Sequence, residues 1–259
     1  LNYLKASQHI TAWLNDYCES ARLSGFIIGI SGGIDSALTS TLCAATGKKT
    51  LLVNMPIRQS NSEYVRASNH IADLKKRFSN VESFEINLTS IFEQMEGTFP
   101  KETVENQLAM ANTRARLRMT TLYALGQTHA CLVAGTGNKI EDFGVGFFTK
   151  YGDGGVDLSP IADLTKSDVK LMAQELSVIQ EILDAKPTDG LWGDSRTDED
   201  QLGASYPELE WAMEFNGDET NLCERDQEVL AIYRRLNRIN KHKMEPIPVC
   251  FIPQEIKLA

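Results

Sequence analysis

The sequence predicts an α/β fold built on a doubly wound, mostly parallel sheet flanked by helices. Three observations predict it. Short apolar runs rich in Val, Ile and Leu recur along the chain, as strands buried on both faces require. Segments with helical spacing separate them, and that alternation is the pattern of strand–helix–strand units. The first run passes directly into a glycine turn and a helix, the kind of junction where open α/β sheets bind ligands.

Residues 1–20 read as a helix on the spacing of Tyr3, Leu4, Ile10, Trp13 and Leu14. Residues 25–30 (GFIIGI) form the first expected strand, and residues 37–45 the helix beyond the glycine turn. Residues 50–54 (TLLVN) give a second strand. Tyr64, Val65, Ala67, Ile71, Ala72 and Leu74 mark residues 62–78 as helical, and a third strand covers 81–86. Residues 103–127 read as one long helix, and Cys131-Leu132-Val133-Ala134-Gly135 as a fourth strand. A glycine-rich segment spans 144–155, followed by a helix over 166–176. Residues 186–203, rich in Asp, Gly and Thr, read as a long loop, a feature that is commonly functional. Residues 221–243 form a basic helix.

At 259 residues the chain is long enough to bury about 70% of its unfolded surface, and residues 1–259 are expected to form one domain. The net charge of −9 disfavours general nucleic-acid binding, which needs a positive surface. It leaves room for a polyanionic small molecule held by a few local cations and backbone N–H groups. No apolar run approaches the ~20 residues of a membrane span. The five cysteines, Cys18, Cys43, Cys131, Cys223 and Cys250, form no CxxC pair. With no leader-like segment, they fit a chain of the reducing cytoplasm.

The motif with most chemical content is Gly29-Ile30-Ser31-Gly32-Gly33-Ile34-Asp35-Ser36. Adjacent glycines let the backbone turn tightly and present its N–H groups, while the following helix aims its positive end at the same point. That suits a pyrophosphate. The loop lacks the lysine of the common phosphate-binding loop. A carboxylate, Asp35, stands at the helix start and would repel phosphate unless a divalent cation lay between them.

SGGIDS resembles the pyrophosphatase loop of the adenine-nucleotide α-hydrolase-like ATP pyrophosphatases, which have a Rossmann-type fold. A second block, GFFTKYGDGG at residues 146–155, is similar to that of the NAD synthetase family. Leu164-Thr165-Lys166, Lys186-Pro187-Thr188 and His242-Lys243 follow in the family's order, so the resemblance covers roughly residues 10–245. It implies amidation of deamido-NAD with ATP and ammonia through an acyl adenylate, giving NAD, AMP and pyrophosphate. With no glutaminase segment in the sequence, free ammonia is the expected nitrogen source. The alternatives within this resemblance are a tRNA-modifying ligase and a non-catalytic adenine-nucleotide sensor.

The resemblance also implies roles for individual residues. Residues 29–36 would hold the ATP phosphates, with Thr136, Lys166 and Thr188 as further ATP contacts. Asp35 and Glu141 would hold magnesium. Arg116, Lys150, Asp157, His242 and Lys243 would bind deamido-NAD, and Asp157 is a candidate base for ammonium. Asp35, Lys166 and Asp157 are the expected catalytic residues. A homodimer is implied, with the deamido-NAD site near the subunit interface. Two departures stand out. Asn54 occupies a place where some relatives carry an ATP-contacting arginine, with Arg58 nearby. The stretch from Glu141 to Gly146 is one residue longer than in several relatives, which leaves Asp142 as an alternative to Glu141.

Overall fold

The computed structural model describes residues 1–187 and 197–257. Its sheet has four parallel strands, β1 (Gly25–Gly29), β2 (Lys49–Asn54), β3 (Val81–Glu85) and β4 (Cys131–Val133), in the order β3-β2-β1-β4. All four match the expected runs. The register sets Phe26 beside Thr50 and Leu132, and Ile27 beside Leu51 and Val133. An isolated parallel bridge, Ala134 to Leu158, extends the β4 side.

Both faces of the sheet are covered, which is why its strands read as unbroken apolar runs. On one face Phe26, Ile28, Leu52 and Leu132 pack against Leu14 of α1 (Tyr3–Ala21), Leu38 and Leu42 of α2 (Ile34–Ala45) and Leu74 of α3 (Asn61–Arg77). On the other face Ile27, Leu51, Val53 and Val133 meet Phe92 of α4 (Thr89–Thr98) and Met110, which lies in a later helix over Gln107–His129.

The expected helix over 103–127 is divided into α5 (Lys101–Glu105) and α6 (Gln107–His129). Asn106 between them has extended backbone, and its side chain accepts from the Ala109 N–H. The N-cap geometry outcompetes continued helix at that residue. Helices α7 (Lys166–Glu175) and α8 (Gln180–Leu183) follow β4. The expected loop over 186–203 contains a helix, α9 (Asp198–Leu202), begun by a capping box between Thr197 and Asp200 and closed by Gly203. Thr188 and Trp192 lie outside the described residues.

A third cluster lies beside the sheet. Ile140 and Val145 pack with Leu202 of α9, with Leu209 of α10 (Tyr206–Glu214), and with Val229 and Leu230 of α11 (Glu224–Met244). Residues Lys139–Val145 form a π-helical turn, a winding that concentrates at functional sites. Gly146 ends it at φ +66°, where an added Cβ would lie 2.4 Å from Asn240 Cβ on α11. A short helix, α12 (Gln254–Lys257), completes the described chain.

Candidate active site

The chain reverses direction across the sheet between β1 and β4: β2 and β3 lie on one side of β1, and β4 on the other. Crevices at such switch points, beyond the carboxyl ends of the strands, are where doubly wound sheets bind ligands. A cleft of about 580 Å³ opens there. All eight residues of the loop 29–36 line it, with Thr136, Glu141, Lys166 and Lys243.

The loop is held by its own hydroxyls. Ser36, in the first turn of α2, donates from Oγ to the Gly33 carbonyl (2.9 Å), and its Oγ accepts from the Ser31 N–H (3.3 Å). Ser31 Oγ accepts from the Gly33 N–H (3.1 Å). Gly32 sits at φ +84°, and a Cβ there would lie 2.5 Å from the Glu63 carbonyl oxygen, so neither the backbone angle nor the space admits a side chain.

Beside the loop, one ammonium joins two carboxylates. Lys166 Nζ donates to Asp35 Oδ2 (2.7 Å) and to Glu141 Oε1 (2.8 Å). Asn138, fully buried, fixes the geometry: its Nδ2 donates to Asp35 Oδ1 (3.0 Å), while its Oδ1 accepts from the Ile140 and Glu141 N–H groups (3.1 and 3.0 Å). The Tyr206 hydroxyl donates to Glu141 Oε1. Burial raises the Asp35 carboxyl above its ordinary pKa, only partly offset by Lys166. Burial also pushes Glu141 upward, but the Lys166 ammonium and the hydrogen bonds from Lys166 and Tyr206 outweigh it and hold Glu141 below the usual range. Burial would discharge Lys166, yet the two carboxylates raise its pKa and keep it cationic. Asp142 does not line the cleft and lies against Gly137, where an added Cβ would lie 1.9 Å from its Oδ2. Among the described residues no group of three or more His, Cys, Asp or Glu side chains could hold a metal by itself.

Replacing Asn138 by alanine is expected to lower turnover about 10- to 100-fold, the usual cost of losing a residue that orients charged ligands from behind. Steady-state rates at saturating substrates check this.

The residues expected to bind the dinucleotide divide into two groups. Lys243 lines the cleft, donating to the carbonyls of Gly146 (2.7 Å) and Phe148 (2.8 Å). Arg116, Lys150 and His242 form a string outside the cleft lining: Arg116 Nε donates to the Lys150 carbonyl (3.3 Å), and Lys150 Nζ to the His242 carbonyl. Asp157 is taken up by the Tyr123 hydroxyl (3.0 Å) and the Val133 N–H (2.8 Å), tying α6 to β4. Arg58 reaches Glu96 (2.7 Å) and Glu93 (3.2 Å) rather than the cleft.

A different arginine of α6, the helix that carries Arg116, lines the cleft. Arg118 donates from Nε to the Met55 carbonyl (3.1 Å), and burial, aided by Arg114, lowers its pKa to about 10. Helical periodicity carries the signal for it: Ala111, Ala115, Arg118 and Leu122 form one stripe at i, i+4, i+7 and i+11, and all four line the cleft. Arg116 falls off that stripe. Met55, Ala115, Met119, Leu122 and Val156 make this end of the cleft an apolar slot. Tyr206 and Asn138 also escaped the motif-based reading, Tyr206 because it joins Glu141 across 65 residues of chain.

Comparison with known proteins adds an independent line. The family model described as NAD synthase matches residues 6–246. A relative named NH(3)-dependent NAD(+) synthetase, from Finegoldia magna, is 40% identical over 81% of this chain and 84% of its own length. A solved structure described as NMN synthetase, from Francisella tularensis, superposes with a TM-score of 0.84 at 30% identity, covering 98% of this chain and 99% of that one. A structure described as NH3-dependent NAD synthetase, from Campylobacter jejuni, gives 0.78 at 25% identity, with 97% and 100% covered.

Proposed function

The chain belongs to the NAD synthase family, and from that premise we infer that it catalyses the ATP-dependent amidation of deamido-NAD by ammonia, forming NAD, AMP and pyrophosphate. The meeting of Asp35, Glu141 and Lys166 beside the glycine loop, at the switch point of the sheet, carries this reading.

A carboxylate is a poor acyl donor because oxide would have to leave; adenylation substitutes AMP as the leaving group. The nicotinate carboxylate attacks the α-phosphorus of ATP, and pyrophosphate departs. Ammonia then attacks the acyl carbon of the adenylate and expels AMP. The N–H groups at the start of α2 face the phosphates, with Ser36 bracing the loop from behind, and Lys166 offsets charge gathering on the departing pyrophosphate. The apolar slot around Met119 and Leu122 accommodates the adenine ring. Asp35 and Glu141 suit magnesium, whose coordination commonly combines one or two carboxylates with phosphate oxygens. When bound, that ion supplies charge neutralisation at the phosphates.

We assign the string Arg116–Lys150–His242, with Lys243, to the dinucleotide. The string lies outside the cleft lining, beside exposed Tyr151 and Ile239, which supports a homodimer whose second copy closes over this surface. No described helix is long and apolar enough to cross a membrane.

A second reading, amidation of nicotinate mononucleotide, is favoured by the Francisella match. Release of AMP and pyrophosphate, measured with ammonium and either acceptor, tests both. Turnover with deamido-NAD at the higher kcat/KM supports the first reading. A higher value for the mononucleotide supports the second, and ATP binding without turnover on either contradicts both.

A further inference from the structure

We propose that Arg66 is a further phosphate-binding residue, gripping the two outer phosphates of ATP and the pyrophosphate they become. The proposal rests on ATP binding in this cleft, as inferred above, and adds a residue from α3, a helix outside every motif of the site.

Arg66 Nε donates to the Gly32 carbonyl (3.1 Å), and Gln59 Nε2 donates to the Ser31 carbonyl (3.0 Å), so the start of α3 is fastened to the glycine loop. The fit is close: a Cβ on Gly32 would lie 3.4 Å from Arg66 Cβ. Arg66 lines the cleft, and its Nε bond is its single hydrogen bond among the described residues. The terminal nitrogens of its guanidinium have no carboxylate or carbonyl partner there. Arg66 reaches the loop at Gly32 from α3, whereas Lys166 reaches Asp35 from α7.

Charge separates their roles. Lys166 is already bound by Asp35 and Glu141, so these three groups together carry excess negative charge. Breaking the bond between the α-phosphorus and its bridging oxygen leaves the electron pair, and a further negative charge, on pyrophosphate. A guanidinium free of carboxylates, with a planar pair of donors matched to phosphate oxygens, is the group suited to receive it.

Titration calorimetry of magnesium pyrophosphate and of AMP against wild type, R66M and R66K decides the matter. R66M is expected to weaken pyrophosphate about tenfold or more, the scale of a lost charge-assisted hydrogen bond, while AMP binding stays within about twofold. R66K, which keeps the charge but not the fork, falls between. Equal weakening of both ligands would reduce Arg66 to a loop tether and overturn the proposal, as would unchanged pyrophosphate binding. Should R66M not fold, R66K decides by the same comparison. Wild type that binds pyrophosphate but does not turn over deamido-NAD would sink the functional reading and leave Arg66 in place.

Discussion

Asp35→Ala is expected to lower turnover about a thousandfold while leaving the fold close to wild type. The two halves of this expectation have separate causes. Asp35 faces the loop from the first turn of α2 and is the carboxylate best placed to gather a cation against the ATP phosphates. Losing a preorganised electrostatic contact of that kind costs about 10²–10³ in rate. The fold survives because Lys166 keeps Glu141 at 2.8 Å, so one buried charge still faces one opposite charge, and the loss is confined to the Asn138 Nδ2 donor that Asp35 had accepted. Pyrophosphate release and thermal unfolding check the two halves. A variant retaining more than about a tenth of wild-type turnover contradicts the assignment.

Lys166→Met reverses the balance. It removes the one cation hydrogen-bonded to both Asp35 and Glu141 among the described residues, leaving two buried carboxylates facing one another. Breaking a buried ion pair by deleting one partner costs about 3–5 kcal/mol. The expected result is a stability loss of that size in urea unfolding, together with loss of turnover. Adding Glu141→Gln to the same chain removes one of the stranded charges and is expected to restore much of the stability but none of the activity. If Lys166→Met alone is as stable as wild type, the carboxylates are not held together by that ammonium.

The contrast between these residues also explains what was legible in the sequence. The glycine loop could be read directly because its signals are local: an apolar run, paired glycines and a helix start. Lys166 could be read only through the family's Leu164-Thr165-Lys166 order, because its two carboxylate partners come from distant parts of the chain. The break at Asn106 was hidden by helix-forming residues on both sides of it. The helix α9 was hidden by a stretch rich in Asp and Thr, whose capping box acts only when Thr197 and Asp200 fold back on each other. Arg118 and Arg116 are indistinguishable by composition, and only the stripe that meets the sheet separates them. Tyr206 and Arg66 reach the site from α10 and α3, and their roles depend on tertiary packing that short-range pattern does not encode.

A crystal structure with a non-hydrolysable ATP analogue and magnesium tests the central claim most directly. The account predicts the outer phosphates on the backbone N–H groups at the start of α2, residues 34–36, with the metal ion between them and the Asp35 carboxylate. Nucleotide bound elsewhere, with those amides facing solvent and Asp35 still paired only to Lys166 and Asn138, would contradict it.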